Sequence, residues 1–135
     1  MLLILLVIFA CSNANDEEGA PDVVTSPVTT DLQIRTILLR ACFDCHSNQA
    51  PSLGARLAPS YLFGLDKARQ ALNFSRWSAY PVQRRRAELI GIAKVVDDGS
   101  MPPGDYAFFH RSAQLSAVQK QALLGWASSA PASTH

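Results

Sequence analysis

The chain is short of cysteine, of net charge and of long apolar runs. Three cysteines in 135 residues exclude a disulfide framework. A net charge of +1 leaves no electrostatic footprint for nucleic acid. The longest apolar run, Met1–Ala10, falls well short of the roughly 20 residues that a bilayer-spanning helix requires. No stretch sustains the alternation of a half-buried strand, and no internal repeat is visible. Eight prolines and seven glycines are too few for collagen-like or low-complexity character. What remains, 48% apolar and 17% charged residues, is the composition of one folded domain.

Met1–Ala10 has the length of the apolar core of a signal peptide, although no Lys or Arg precedes it. Cys11 follows a small residue directly and resembles a lipoprotein processing site, despite the bulky Phe9. Residues 1–11 are therefore expected to export the chain to the periplasm, with Cys11 as the lipidated membrane anchor. An ordinary cleaved signal or an uncleaved short anchor, with Cys11 incidental, is the plainer reading. Residues 12–31 change in composition, with five acids and no base, and read as an acidic, self-repelling linker. Residues 32–135 then hold twelve bases against six acids, a net +6, which suits an acidic partner or an anionic cofactor.

Within this domain the apolar spacing is helical. Ile34, Ile37, Leu38 and Ala41 predict a helix over 32–42, capped by Asp31 or Thr30. A second is expected over Ser60–Leu72, with Tyr61, Leu65 and Ala68 on one face. A third follows Pro81, carries Leu89, Ile92, Ala93 and Val96, and ends at Asp97-Asp98-Gly99, with Gly99 in the left-handed position. The last opens with a Ser116/Gln119 capping box and carries Val118, Ala122 and Trp126 along one stripe. The fold expected is all-α, a single small domain of about four helices. Arg84–Arg86 opens the third helix, as a solvated face or as a contact for an anionic group; cations there oppose the helix dipole.

One motif carries chemistry. Cys42-Phe43-Asp44-Cys45-His46 is C-x-x-C-H, the attachment signature of c-type haem. On a helical turn, residues i and i+3 project to one side, so Cys42 and Cys45 can form two thioethers to one porphyrin. His46 then offers its imidazole to the iron. A thioredoxin-like pair needs an α/β context that is missing here. A zinc site needs two more ligands, and only His110 and His135 remain.

Once Met1 is removed the chain has one methionine, Met101, in Gly99-Ser100-Met101-Pro102-Pro103-Gly104. Two prolines stiffen the loop, and the first biases Met101 to an extended backbone. A stiff loop suits a thioether held against iron, whereas a core methionine would sit on an apolar helix face. His110 is the rival sixth ligand, or else a hydrogen-bonding loop residue.

Residues 41–126 resemble the small haem-binding domain family of bacterial c-type cytochromes. The resemblance rests on Cys42-Phe43-Asp44-Cys45-His46-Ser47-Asn48, Ala58-Pro59-Ser60, Leu72-Asn73-Phe74-Ser75-Arg76-Trp77, Gly99-Ser100-Met101-Pro102-Pro103, and the stretch from His110 through Leu115-Ser116 to Trp126. It implies one covalent haem c, His46 and Met101 as axial ligands, and electron transfer with redox partner proteins. Asn73, Trp77 and Pro102 are candidate haem contacts; the plainer role of Trp77 is core at a helix corner. Members of the family often carry an aromatic Trp-Pro-Trp-Tyr-Ser-like segment after the motif, and here Ala50–Arg56 holds no aromatic. The expectation is thus an exported mono-haem electron carrier and not an enzyme. A haem enzyme of peroxidase type needs distal acid–base residues, and a gas or redox sensor needs a labile sixth ligand.

Overall fold

A computed structural model of the chain describes residues 28–129. The expected signal segment, Cys11, most of the acidic linker and His135 lie outside the described residues. The described residues contain helices and no strand, as expected of an all-α domain.

The four predicted helices form as α1 (Leu32–Ala41), α3 (Pro59–Ala71), α4 (Val82–Asp97) and α6 (Ala117–Ser129). Two further short helices are present, α2 (Phe43–His46) and α5 (Gly104–Phe109), with 3-10 turns at Ala55–Leu57, Phe74–Ala79 and Arg111–Ala113. Both extra helices are only one or two turns long, too short for a 3.6-residue period to show in the sequence.

The ends follow local chemistry. Asp31 caps α1, its Oδ1 accepting from the backbone N–H groups of Gln33 and Ile34 at 2.8 and 3.1 Å. Pro59 occupies the first turn of α3, where its missing N–H costs nothing. Gly99 adopts φ +77° just after α4, the left-handed position that favours glycine. Ser116 and Gln119 exchange the two bonds of a capping box at 2.9 and 3.2 Å. Lys120 reaches back to the Asp97 carbonyl at 2.8 Å and closes the end of α4.

Two apolar clusters hold these pieces together. The larger joins α1, α4 and α6, with Leu38, Phe74, Trp77, Leu89 and Leu123 buried in it. The smaller is built of Ala41, Ala55, Ala58 and Ala113 around Tyr61 and Tyr106. These alanines come from the end of α1, two of the 3-10 turns and the residue before α3, and Cys42 packs against both clusters.

Two expectations are corrected. Val28 and Thr29, assigned by composition to the linker, are buried, and Val28 belongs to the larger core. On α6 the buried stripe is Leu123 and Ala127, rotated by one residue from the expected Val118, Ala122 and Trp126. Val118 is 71% exposed, and Ala122 and Trp126 are only partly covered. The four large apolar residues of this helix, Val118, Leu123, Leu124 and Trp126, are spread around it with three alanines among them, so its inward face is weakly marked. Leu123→Ala should therefore cost about 2–5 kcal/mol in urea unfolding of the full chain, and Val118→Ala within about 0.5 kcal/mol of nothing. Equal losses at the two positions would refute the rotated stripe.

Candidate functional site

Cys42 interrupts α1 and α2 with a non-helical φ of −125°. The chain then turns once: the N–H groups of Cys45 and His46 both donate to the Cys42 carbonyl, at 3.2 and 2.9 Å. This places the two thiols on one side, and neither is in a disulfide. Burial pushes the Cys42 thiol up to about 12, with Cys45 adding to the effect. Burial and then Asp44 push Cys45 up to about 11. A dithiol redox pair works through a lowered thiol, so these shifts run against the thioredoxin-like reading.

His46 is oriented by a helix end. Its Nδ1 lies 3.1 Å from the Ala68 carbonyl and 3.0 Å from the Leu72 carbonyl. Carbonyls only accept, so Nδ1 carries the proton and Nε2 is the basic nitrogen of the neutral ring. A metal-ligating histidine is held in this manner.

Met101 comes to the same place from far along the chain. Its backbone N–H donates to the Val95 carbonyl at 3.0 Å, and Ser100 N–H donates to Asp98 Oδ1 at 2.9 Å, fastening the loop to the end of α4. Cys42, Cys45, His46 and Met101 line one cleft of about 560 Å³. Its other walls include Phe63, Gly64, Ala68, Ala71, Pro103 and Tyr106. Met101 is 37% exposed and Phe63 89% exposed, apolar side chains on an open wall. Mostly apolar lining with a few converging donors, at this volume, is the character of a cofactor site. Two thiols on one turn, an imidazole whose Nδ1 is already engaged and a thioether are groups that haem takes, and they fit it. Among the described residues no three His, Cys, Asp or Glu side chains converge as a separate metal site.

The other candidates stand elsewhere. Trp77 is buried among Phe74 and Tyr80 in the larger core and does not line the cleft. Asn73 caps the 3-10 turn that follows it and donates to Asn48 Oδ1 at 2.8 Å, also away from the cleft. Pro102 lines a smaller hollow behind the Met101 loop, while Pro103 reaches the cleft. His110 stacks on Tyr106 and lies 2.6 Å from Ser52 Oγ, so it is a hydrogen-bonding loop residue here.

Sequence reasoning missed two carboxylates. Asp44, between the cysteines, accepts from Ser52 N–H at 2.9 Å, the Ser52 hydroxyl at 2.6 Å and the Tyr106 hydroxyl at 2.8 Å, with His110 Nδ1 at 3.6 Å. Burial and the bond to Asp44 hold the Tyr106 phenol well above its ordinary range, so it stays a donor. Gly54 belongs to this loop because a Cβ there would lie 2.8 Å from the Phe109 carbonyl oxygen. Asp105 accepts from Ser60 N–H at 2.7 Å and so caps α3 from another helix. The only advance signal for either was an acid close to a motif, without a visible partner.

The Ser60 N–H bond holds the Asp105 carboxyl below its ordinary 3.8. A depressed carboxyl stabilises the fold above its unfolded pKa, and that stability is lost as pH falls through the folded value. Asp105→Ala should thus cost about 1 kcal/mol at pH 7, as for a lost cap. Thermal unfolding should show the gap to the parent closing below about pH 4. A gap that persisted undiminished in acid would refute the charged cap.

Searches of curated proteins and of solved structures return no match to the chain. A family model described as a haem-binding domain matches residues 1–129. With a matching model that spans nearly all of its length, and with a cleft suited to the group, the chain belongs to the haem-binding domain family.

Proposed function

We propose that this chain is an exported c-type cytochrome that carries single electrons on one covalently bound haem. The observation that carries the reading is the meeting of Cys42, Cys45, His46 and Met101 on one apolar cleft. Cys42 and Cys45 would hold the macrocycle through thioethers, and His46 and Met101 would be the axial ligands. When bound, the haem supplies a one-electron ferric–ferrous couple.

The protein's part is positioning. The Ala68 and Leu72 carbonyls fix the His46 ring and raise the basicity of its free nitrogen. Met101 offers a soft thioether, which favours ferrous iron relative to a second nitrogen ligand. Apolar walls exclude water, while the open side at Phe63 and Met101 leaves an edge accessible. Apart from His46 and the motif cysteines, the ionisable side chains on the cleft are Lys67 and Tyr106. Among the described residues no second histidine and no carboxylate lines it, which favours a carrier over peroxidase-type acid–base catalysis. Export and membrane attachment through Cys11 rest on the apolar leader and the cysteine that follows it.

The test is the absorption spectrum of chain matured with a haem-attachment system. The parent should be low-spin, with the far-red sulfur-to-iron band in the ferric state. Haem should stay with the polypeptide after acid–acetone extraction, and Cys42→Ala/Cys45→Ala should release it. Met101→Ala should abolish the band and lower the potential by on the order of 100 mV, within the range that axial ligands control. An unchanged potential in that variant would remove Met101 from the iron.

A further inference from the structure

A second concavity, about 680 Å³, lies on the other side of α3. Helical spacing explains the division. Gly64, Lys67, Ala68 and Ala71 face the haem cleft, whereas Asp66, Arg69, Gln70 and, just past the helix end, Asn73 face the groove. Arg76, Tyr80 and Arg84 complete the groove walls.

The groove is cationic and partly organised in advance. Three guanidinium groups face one carboxylate, that of Asp66. Arg84 stacks over the Tyr80 ring, 4.0 Å from its centroid, and its Nε donates to Glu88 at 3.1 Å. Arg69 Nε donates to the Ser47 carbonyl at 3.0 Å, one residue past His46. Among the described residues, no carboxylate lies within ion-pair distance of Arg69 or Arg76. A planar guanidinium held by stacking loses little freedom when it binds a carboxylate.

Position says what such a groove is for. One helix, about 10–12 Å across, separates it from the haem cleft. One of the two carbonyls that hold His46 belongs to Leu72, and Asn73, next in the chain, lines the groove. We propose that this arginine groove docks the acidic face of a redox partner protein, on the His46 side of the cofactor. The proposal rests on the electron-carrier reading above. A concave groove with a carboxylate in its wall fits a protruding acidic loop better than the flat headgroup plane of a membrane.

The probe is hexacyanochromate(III), a redox-inert paramagnetic trianion, added to the haem-loaded full chain in low salt. Amide signals of Arg69, Asn73 and Arg76 should broaden first, and the broadening should fade with added salt. The second readout is oxidation of the ferrous protein, one electron passing to hexacyanoferrate(III) to give hexacyanoferrate(II). Arg76→Glu/Arg84→Glu should slow this step about tenfold at low salt, with the ligand spectrum retained. Arg35→Glu/Lys94→Glu, with the same charge change outside the groove, should slow it far less.

Equal slowing by the two double variants refutes the groove, as does a normal His–Met spectrum with no local broadening. If broadening appears only after Asp16, Glu17, Glu18 and Asp22 are neutralised, the occupant is the chain's own acidic segment and the partner proposal fails. Capture of the parent, but not of the groove variant, by phosphatidylglycerol vesicles would replace the partner with a lipid surface. Local broadening in a protein whose spectrum lacks the expected ligation removes the redox partner and identifies the carrier reading as the part that failed.

Discussion

The hydrogen bonds from His46 Nδ1 to the last carbonyls of α3 are the constraint on which the site depends. The Ala68 carbonyl already accepts from the Leu72 N–H at 2.9 Å, and the single His46 N–H adds a second donor there while also reaching the Leu72 carbonyl just past the helix end. The other end of α3 is held in turn by Asp105, which lies four positions beyond Met101 and bonds the Ser60 N–H. One helix of 13 residues, about 20 Å long, is thus pinned at one end by His46 itself and at the other by the segment that carries Met101. Its length and its straightness set how the two candidate axial residues stand relative to each other. A change in α3 would be felt at both, with neither ligand touched.

Asp44 does for the motif turn what α3 does for His46. The residue between two cysteines is not required by thioether geometry, yet this one gathers Ser52, Tyr106 and His110 behind the turn. Buried carboxylate oxygens need several donors, and here two hydroxyls and a backbone N–H supply them. The same bonds draw the Ala50–Gly54 loop against α5, where the close approach of Gly54 to Phe109 leaves no room for a side chain. This segment carries no aromatic residues, so it is anchored by polar contacts rather than by burying rings.

Local chemistry made much of this legible. The Asp31 cap, the Ser116/Gln119 box and the left-handed Gly99 each depend on a few adjacent residues, so their identities suffice. The C-x-x-C-H turn and the Met101 loop announce themselves for the same reason. The face of α6 was misread because Val118 looks apolar while the alanines around Leu123 give little contrast. Asp44 and Asp105 were missed because their partners lie at long range: Tyr106 for the first, Ser60 for the second. Trp77 drew attention as a large residue within a shared motif, but its ring is consumed by the Phe43–Phe74–Trp77–Tyr80 stack. Composition alone could not show that Val28 folds back onto that core.

The placement of polar groups bears on what kind of haem protein the cleft can be. Chemistry at an open iron site needs proton donors and acceptors close to the substrate side. Among the described residues, the acid–base cluster of Asp44, Ser52 and His110 does not line the cleft and is closed on itself. Tyr106, which bonds to this cluster, does reach the cleft, and its hydroxyl is committed to Asp44 and to the Arg40 carbonyl. The fold spends its buried polar groups on holding the motif still. Tying the motif turn down through Asp44 and His46 through two carbonyls limits how far these residues can shift when a group occupies the cleft.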